Sequence, residues 1–252
     1  MTQQIIYGIH AISHLLQHSP KRAVSLHILD GKKNERVDEV IRLAKKTGVT
    51  TQHINQDAFS RLLDDDSAVH QGVVLSCKPF PGYRESDLLT LIESKRALGK
   101  QASVLVLDGV QDPRNLGACL RSAAAFCVDA VVLPKDRSAA LTATAEKVAC
   151  GGAALVPIVT VTNIARTLKQ CQEAGLWVVG LTGNADQSLD AIDLNTDVVL
   201  VMGNEGVGMR RLTEKHCDFL AKIPMHGGVS SLNVSAATSV ALYELARQRS
   251  AS

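Results

Sequence analysis

Apolar and polar positions follow two regimes along this chain. Over the first 76 residues, helical spacing and short strand-like runs take turns. Ile9, Ile12, Leu15 and Leu16 share one side of a helix predicted over residues 5–18. Val24–Leu29 reads as a strand. Glu35–Thr47 reads as an amphipathic helix with Val37, Val40, Ile41 and Ala44 inward, and Gly48 stands where helices stop. Strands at Thr51–Ile54 and Val73–Ser76 complete a small α/β unit. Lys78–Ser86, with Pro79, Pro81 and Gly82, reads as a linker before a helix near 87–98.

From Ser103 the pattern changes. Unalternated apolar runs recur at Val104–Leu107, Ala130–Leu133, Val156–Val159, Trp177–Leu181, Val198–Met202 and Phe219–Ile223, with helical stretches between them. Strands of that kind are apolar on both sides, which predicts a parallel sheet covered on both faces. A last helix, Val234–Arg249, puts Val234, Ala237, Ala241 and Leu245 along one side. The expected fold is α/β throughout, in three parts: a small unit at 1–76, a linker at 77–100 and the parallel-sheet unit at 101–252.

Composition narrows the function classes. Aromatics are 3% of the 252 residues, too few for a stacking platform that reads bases. No apolar run reaches the roughly 18 residues of a membrane span. The opening residues lack the layout of a secretory signal, so a cytoplasmic protein is expected. Cys77, Cys119, Cys127, Cys150, Cys171 and Cys217 form no C-x-x-C pair, which argues against zinc and against a disulfide framework. His10, His14 and His18 recur at helical spacing, but Leu15 and Leu16 already account for that helix, and no metal is expected. Asp64, Asp65 and Asp66 read as a solvated loop, and Phe126 and Trp177 as core. Net charge is only +2. Bulk charge therefore gives no nucleic-acid signal, and any RNA contact must come from local clusters.

Chemistry is expected in the loops that leave the carboxyl ends of parallel strands. Three have unusual composition. In the first, Asp112-Pro113 makes a turn, Asn115 suits a helix N-cap, and Arg121 follows one turn after Gly117, leaning back toward the loop. An Arg and an Asn near a helix N-terminus can hold a phosphate or a developing oxyanion. The second sets Gly203, Gly206 and Gly208 within six residues, with Glu205 inside the turn. This spacing is neither the dinucleotide pattern nor the P-loop, but it lets the backbone approach a ligand closely. The third offers Gly227, Gly228, Ser230 and Ser231, then Asn233 at a helix start. Taken singly, each could be a plain cap, a turn or a solvated side chain.

Together, in this order, the segments Asp112–Arg121, Gly203–Gly208 and Ser230–Ser235 resemble the three signature motifs of the SpoU/TrmH family of SPOUT methyltransferases. The likeness extends to the front unit through Tyr7-Gly8-Ile9-His10 and His70-Gln71-Gly72-Val73. Lys135–Ser138 and Ala145–Gly151 point to the branch that methylates a guanosine ribose in bacterial 23S rRNA, in the peptidyl-transferase-region loop. The resemblance implies a deep trefoil knot near the carboxyl end, a homodimer with its active site at the subunit interface, and an RNA-binding α/β sandwich in front. It implies S-adenosylmethionine as donor, leaving S-adenosylhomocysteine, with no metal. The donor's site would involve Met202, Gly203, Asn204, Gly208, Ile223 and Leu232.

By the same likeness, Arg121 acts on the ribose 2′-hydroxyl as base or alkoxide stabiliser. Stabilisation is the better chemistry, because a guanidinium stays protonated in almost any protein setting. Asn115 would orient the ribose or Arg121, Glu205 would position a basic group, and Ser231 and Asn233 would lie near the target ribose or donor. Arg114, Lys135, Arg137, Arg210 and Arg211 follow strand ends on the ligand side and are candidate phosphate contacts. Two rival readings stand beside this one. One is the same chemistry on tRNA. The other is an RNA-binding assembly factor without catalysis.

Overall fold

The computed structural model describes residues 4–18, 20–31, 34–63, 70–78, 82–204 and 206–250. Glu205 and the Asp64–Asp66 run lie outside the described residues, as do the side chains of His14 and His18.

The front unit runs β1 (Gln4–Tyr7), α1 (Ile9–His18), β2 (Ala23–Leu29), α2 (Glu35–Lys46), β3 (Thr50–Ile54), α3 (Gln56–Ser60) and β4 (Val73–Cys77). Its sheet has the order β1-β4-β2-β3, with only β2 and β3 parallel. Helices α1 and α2 bury Ile12, Leu15, Leu16, Val37 and Val40 on one face, while Phe59 of α3 packs with Tyr7 and Val74 on the other. The helix expected over 5–18 is therefore shorter. Ile5 and Ile6 are β-branched residues that pair with Ser76 and Leu75 of β4, and Gly8, at φ +91°, breaks the chain before α1.

The segment read as a linker carries β5 (Tyr83–Arg84) and leads to α4 (Asp87–Arg96). The rest runs β6 (Ser103–Asp108), α5 (Pro113–Ala125), β7 (Ala130–Pro134), α6 (Ala143–Ala149), β8 (Ile158–Val161), α7 (Ile164–Glu173), β9 (Trp177–Leu181), β10 (Gln187–Ser188), β11 (Val198–Gly203), α8 (Arg211–Lys215), β12 (Phe219–Lys222) and α9 (Val234–Ser250). These strands form one eight-stranded sheet, β10-β12-β9-β11-β6-β7-β8-β5, parallel at every pairing. Helices α5, α6 and α9 cover one face, and α4 and α7 the other. The strand expected at Val156–Val159 lies two residues later, because Pro157 has no N–H to give a ladder.

Trp177 is not core. It opens β9 at 50% exposure and rests on Phe219, with ring centroids 5.5 Å apart. Phe126 is half-buried against the α5 side of the core.

The two units meet through β1, α1 and α6. Gln4 Nε2 donates to Glu146 Oε1 at 2.6 Å, and Arg22 Nη2 lies 3.5 Å from the same oxygen. Lys147 Nζ sits 4.8 Å above the Tyr7 ring. Burial pushes the Glu146 carboxyl above its ordinary range, while Arg22 and Gln4 pull it back.

Candidate active site

Two loops meet where β6 and β11 end side by side, Gly203 opposite Asp108. Asp112 Oδ1 accepts from Arg114 N at 2.8 Å, so Asp112 is the N-cap of α5 and Pro113 its first residue. Asn115, expected at the cap, lies inside the first turn instead. Pro113, with its fixed φ and no N–H to satisfy, selects the earlier start. Asn115 thereby faces α9, where Asn233 Nδ2 donates to Asn115 Oδ1 at 3.2 Å. Asn233 does cap its helix, accepting from Ser235 N at 2.9 Å and from Ser235 Oγ at 2.6 Å.

After β11 the chain folds back at once. Asn204 and Gly208 exchange two backbone hydrogen bonds of 3.0 Å, and Gly208 takes φ +71°. A Cβ at Gly203 would collide with the backbone of Gly208 and Met209. The glycine is there so that the loop can close on itself. Asn204 Nδ2 then donates to Gly109 O at 2.8 Å, tying the second loop to the first.

Against this knuckle lies a cavity of about 810 Å³, counting its open mouth. Met202, Gly203, Asn204, Gly208, Ile223 and Leu232, the six residues expected around a donor, all line it, with Ser230 and Ser231 at the rim. Leu181, Thr182, Gly183, Met225, Val234 and Ala237 complete the wall. The sequence reading missed the β9 loop, Thr182-Gly183. The signal was available, since that loop also leaves the carboxyl end of a parallel strand. The lining is mostly apolar, drawn from the ends of three strands, β9, β11 and β12, and from the start of α9, with no charged residue among the described ones. Such a wall suits a flat heteroaromatic ring held by backbone hydrogen bonds.

Arg121 does not line this cavity. It is exposed on α5 and faces a second cleft, between that helix and α1 and α2 of the front unit. The small residues of α5 explain this placement by close helix packing. A Cβ on Gly117 would meet Ala145 O and, at 2.8 Å, Val148 Cβ of α6. Among the expected phosphate contacts, Arg114, Lys135, Arg137, Arg210 and Arg211 are all exposed. Arg137 takes φ +58° in a turn whose carbonyl oxygen would lie 3.8 Å from a Cβ on Gly109.

Arg210 is anchored. Its backbone N–H donates to Asp108 Oδ2 at 2.9 Å, and its Nε lies 3.3 Å from Oδ1 of the same fully buried carboxylate. That Nε is off line for a hydrogen bond, so among the described residues Oδ1 is left without one. Asp108 was not singled out by sequence, although a charge closing an apolar strand was the clue.

Fold and site together define the class: a parallel α/β enzyme unit whose strand-end loops close on one ligand cavity, with a small sandwich in front. Residues 102–243 match the SpoU rRNA Methylase family, and residues 5–83 match the family described as RNA 2'-O ribose methyltransferase substrate binding. The chain belongs to the SpoU rRNA Methylase family. It is 50% identical over 247 residues to the 23S rRNA (guanosine-2'-O-)-methyltransferase RlmB of Escherichia coli K12, covering 98% of this chain and 99% of that one. It is 50% identical over 244 residues to the enzyme of the same name from Pseudomonas aeruginosa PAO1, covering 97% and 96%. In architecture it resembles the SpoU methyltransferase AviRb of Streptomyces viridochromogenes, with TM-score 0.79 at 23% identity over 99% of this chain and 90% of that one.

Proposed function

We propose that this protein transfers the methyl group of S-adenosylmethionine to the 2′-oxygen of a guanosine ribose in 23S rRNA. The carrying observation is the likeness to the RlmB enzymes at 50% identity along 98% of the chain. The single cavity at the strand ends supports it with the right chemistry. Its apolar wall of Leu181, Met202, Ile223 and Leu232 suits an adenine. Bound S-adenosylmethionine supplies an electrophilic methyl on a sulfonium. Transfer of that methyl to the 2′-oxygen would leave S-adenosylhomocysteine as a neutral thioether, and the proton of the ribose hydroxyl would pass to water.

The chain's own part is to place the ribose and to stabilise negative charge. Asn115 and Asn233, bonded to each other, do not line the cavity, but Asn233 stands between the lining residues Leu232 and Val234, where the pair would orient a ribose. By its motif Glu205 would position a basic group, and Ser231 lines the cavity. Arg121 stands six residues beyond Asn115 on α5, about 9 Å along the helix axis. From there its guanidinium serves the phosphate next to the target ribose more directly than the oxygen itself. Arg114, Lys135, Arg137, Arg210 and Arg211 contact further phosphates.

The proposal includes residues 1–76 as the RNA-binding unit, 77–100 as the connection and 101–252 as the catalytic unit, threaded as a trefoil knot. It includes a homodimer, supported by the exposed Val240 and Tyr243 of α9, with Tyr243 edge-on to Phe126 at 6.5 Å. Among the described residues no helix is long and apolar enough to cross a membrane, and a cytoplasmic site of action fits the substrate. The test is methyl transfer in vitro to 23S rRNA and tRNA transcripts, with the product mapped by mass spectrometry. One 2′-O-methylguanosine in 23S rRNA is expected. Methylation of tRNA alone, or of neither, would overturn the reading.

A further inference from the structure

Resting on that reading, we propose that RNA entering the active site is held in the cleft between the units, with its backbone clamped by Arg36, Arg42 and Lys46 of α2 opposite Arg121 of α5. The cleft measures about 1600 Å³, counting its open mouth, and is walled by α1 and α2 on one side and by Arg121 and Cys150 on the other. Its charge is one-sided: four basic side chains and one acid, Glu39. All five are exposed, and among the described residues none of the four basic side chains donates to a protein acceptor. Elsewhere on the surface, cations such as Arg166, Arg247 and Lys169 sit beside carboxylates. Unmatched cations facing one another across a cleft are suited to a polyanion that spans both walls.

The spacing fits a strand. Arg36, Glu39, Arg42 and Lys46 follow helical periodicity on one face of α2, since Val37, Val40 and Ala44 occupy the buried face. From Arg36 to Lys46 the ridge runs about 15 Å, on the order of four nucleotide steps along one strand. The Tyr7–His10 segment acquires a role as well. Gly8 turns the chain so that Ile9 and His10 enter the same cleft, and Gln71 Oε1 fixes that turn by accepting from Ile9 N at 3.0 Å. The contact at Gln4, Arg22 and Glu146 holds the two walls in register. The front unit thus presents backbone to Arg121 instead of tethering RNA at a distance.

The experiment uses the full-length protein and unmethylated 23S rRNA transcript, with filter binding from low to high KCl and initial rates of methylation. The triple variant Arg36→Gln, Arg42→Gln, Lys46→Gln is expected to weaken binding about tenfold or more and to flatten the log–log salt dependence by about two units. It should lower kcat/KM mainly through KM. A control triple variant, Lys100→Gln, Arg166→Gln, Lys169→Gln, removes as many charges away from the cleft and should shift neither quantity more than twofold. Gln17→Lys, which adds a charge to the cleft at an exposed position, should tighten binding and steepen the slope, an outcome that misfolding cannot mimic. If the wild type methylates the transcript while the cleft triple variant behaves like the control, the cleft is not the RNA path and the methyltransferase reading stands. Tight binding that persists while an acidic protein competes for the cleft would overturn the proposal as well.

Discussion

Asn233 Nδ2 donates to Asn115 Oδ1 across 118 residues of sequence, joining the first turn of α5 to the residue that caps α9. Asn233 does two jobs with opposite ends of one amide, and the two can be separated. Asn233→Asp keeps the capping oxygen at a helix N-terminus, where negative charge is favoured, but loses the donor. Its stability should match the wild type while turnover falls about 100-fold through lost positioning. Asn233→Ala should also lose about 1 kcal/mol of stability. Urea melts and initial rates on both variants check this, and normal turnover in Asn233→Asp would detach the pair from catalysis.

Arg121 is exposed, so its removal should not disturb folding. Arg121→Ala is expected to reduce methylation about 1,000-fold, with donor binding and association state unchanged. Arg121→Lys keeps the charge but not the planar fork and should recover only part of the loss. Turnover near the wild-type level in Arg121→Ala would remove the residue from the mechanism.

Gly203→Ala forces a methyl group into the backbone of Gly208 and Met209, and neither is the movable end of a side chain. The loop has to open, so affinity for S-adenosylhomocysteine should fall at least about tenfold while the sheet still forms. An unaltered affinity would mean that this loop does not shape the donor site.

The contact between the units carries a pH signature. Burial raises the Glu146 carboxyl, so the folded state holds that proton more tightly than the unfolded chain does. The associated stability is complete below the ordinary carboxylate range and is lost as pH rises through the raised value. Arg22→Met removes the cation that offsets this and lifts the carboxyl further. The variant should lose about 3 kcal/mol at pH 8 and clearly less at pH 5, read from urea unfolding at each pH. Equal losses at both would show that the Arg22 charge does not act through Glu146.

The parallel sheet was legible because strands buried on both faces leave unbroken apolar runs, as Val198–Met202 does in β11. The cavity was legible because glycines and small polar residues crowd the loops after β11 and β12. What the residues could not reveal depended on partners distant in sequence. Ile5 and Ile6 become strand only because β4 lies beside them. Trp177 is exposed because β9 begins at the sheet rim, although its neighbours in sequence are core. Pro113 moves the start of α5, which turns Asn115 from a cap into a contact with α9. The direction of Arg121 toward the front unit follows from how α5 packs on α6, which no motif encodes.

The most direct test of the central claim is calorimetry of the purified, folded protein with S-adenosylmethionine and with S-adenosylhomocysteine. The expected result is saturable heat at one site per chain, retained in Arg121→Ala and weakened in Gly203→Ala. No heat with either compound would contradict a methyl-donor site at the ends of β9, β11 and β12.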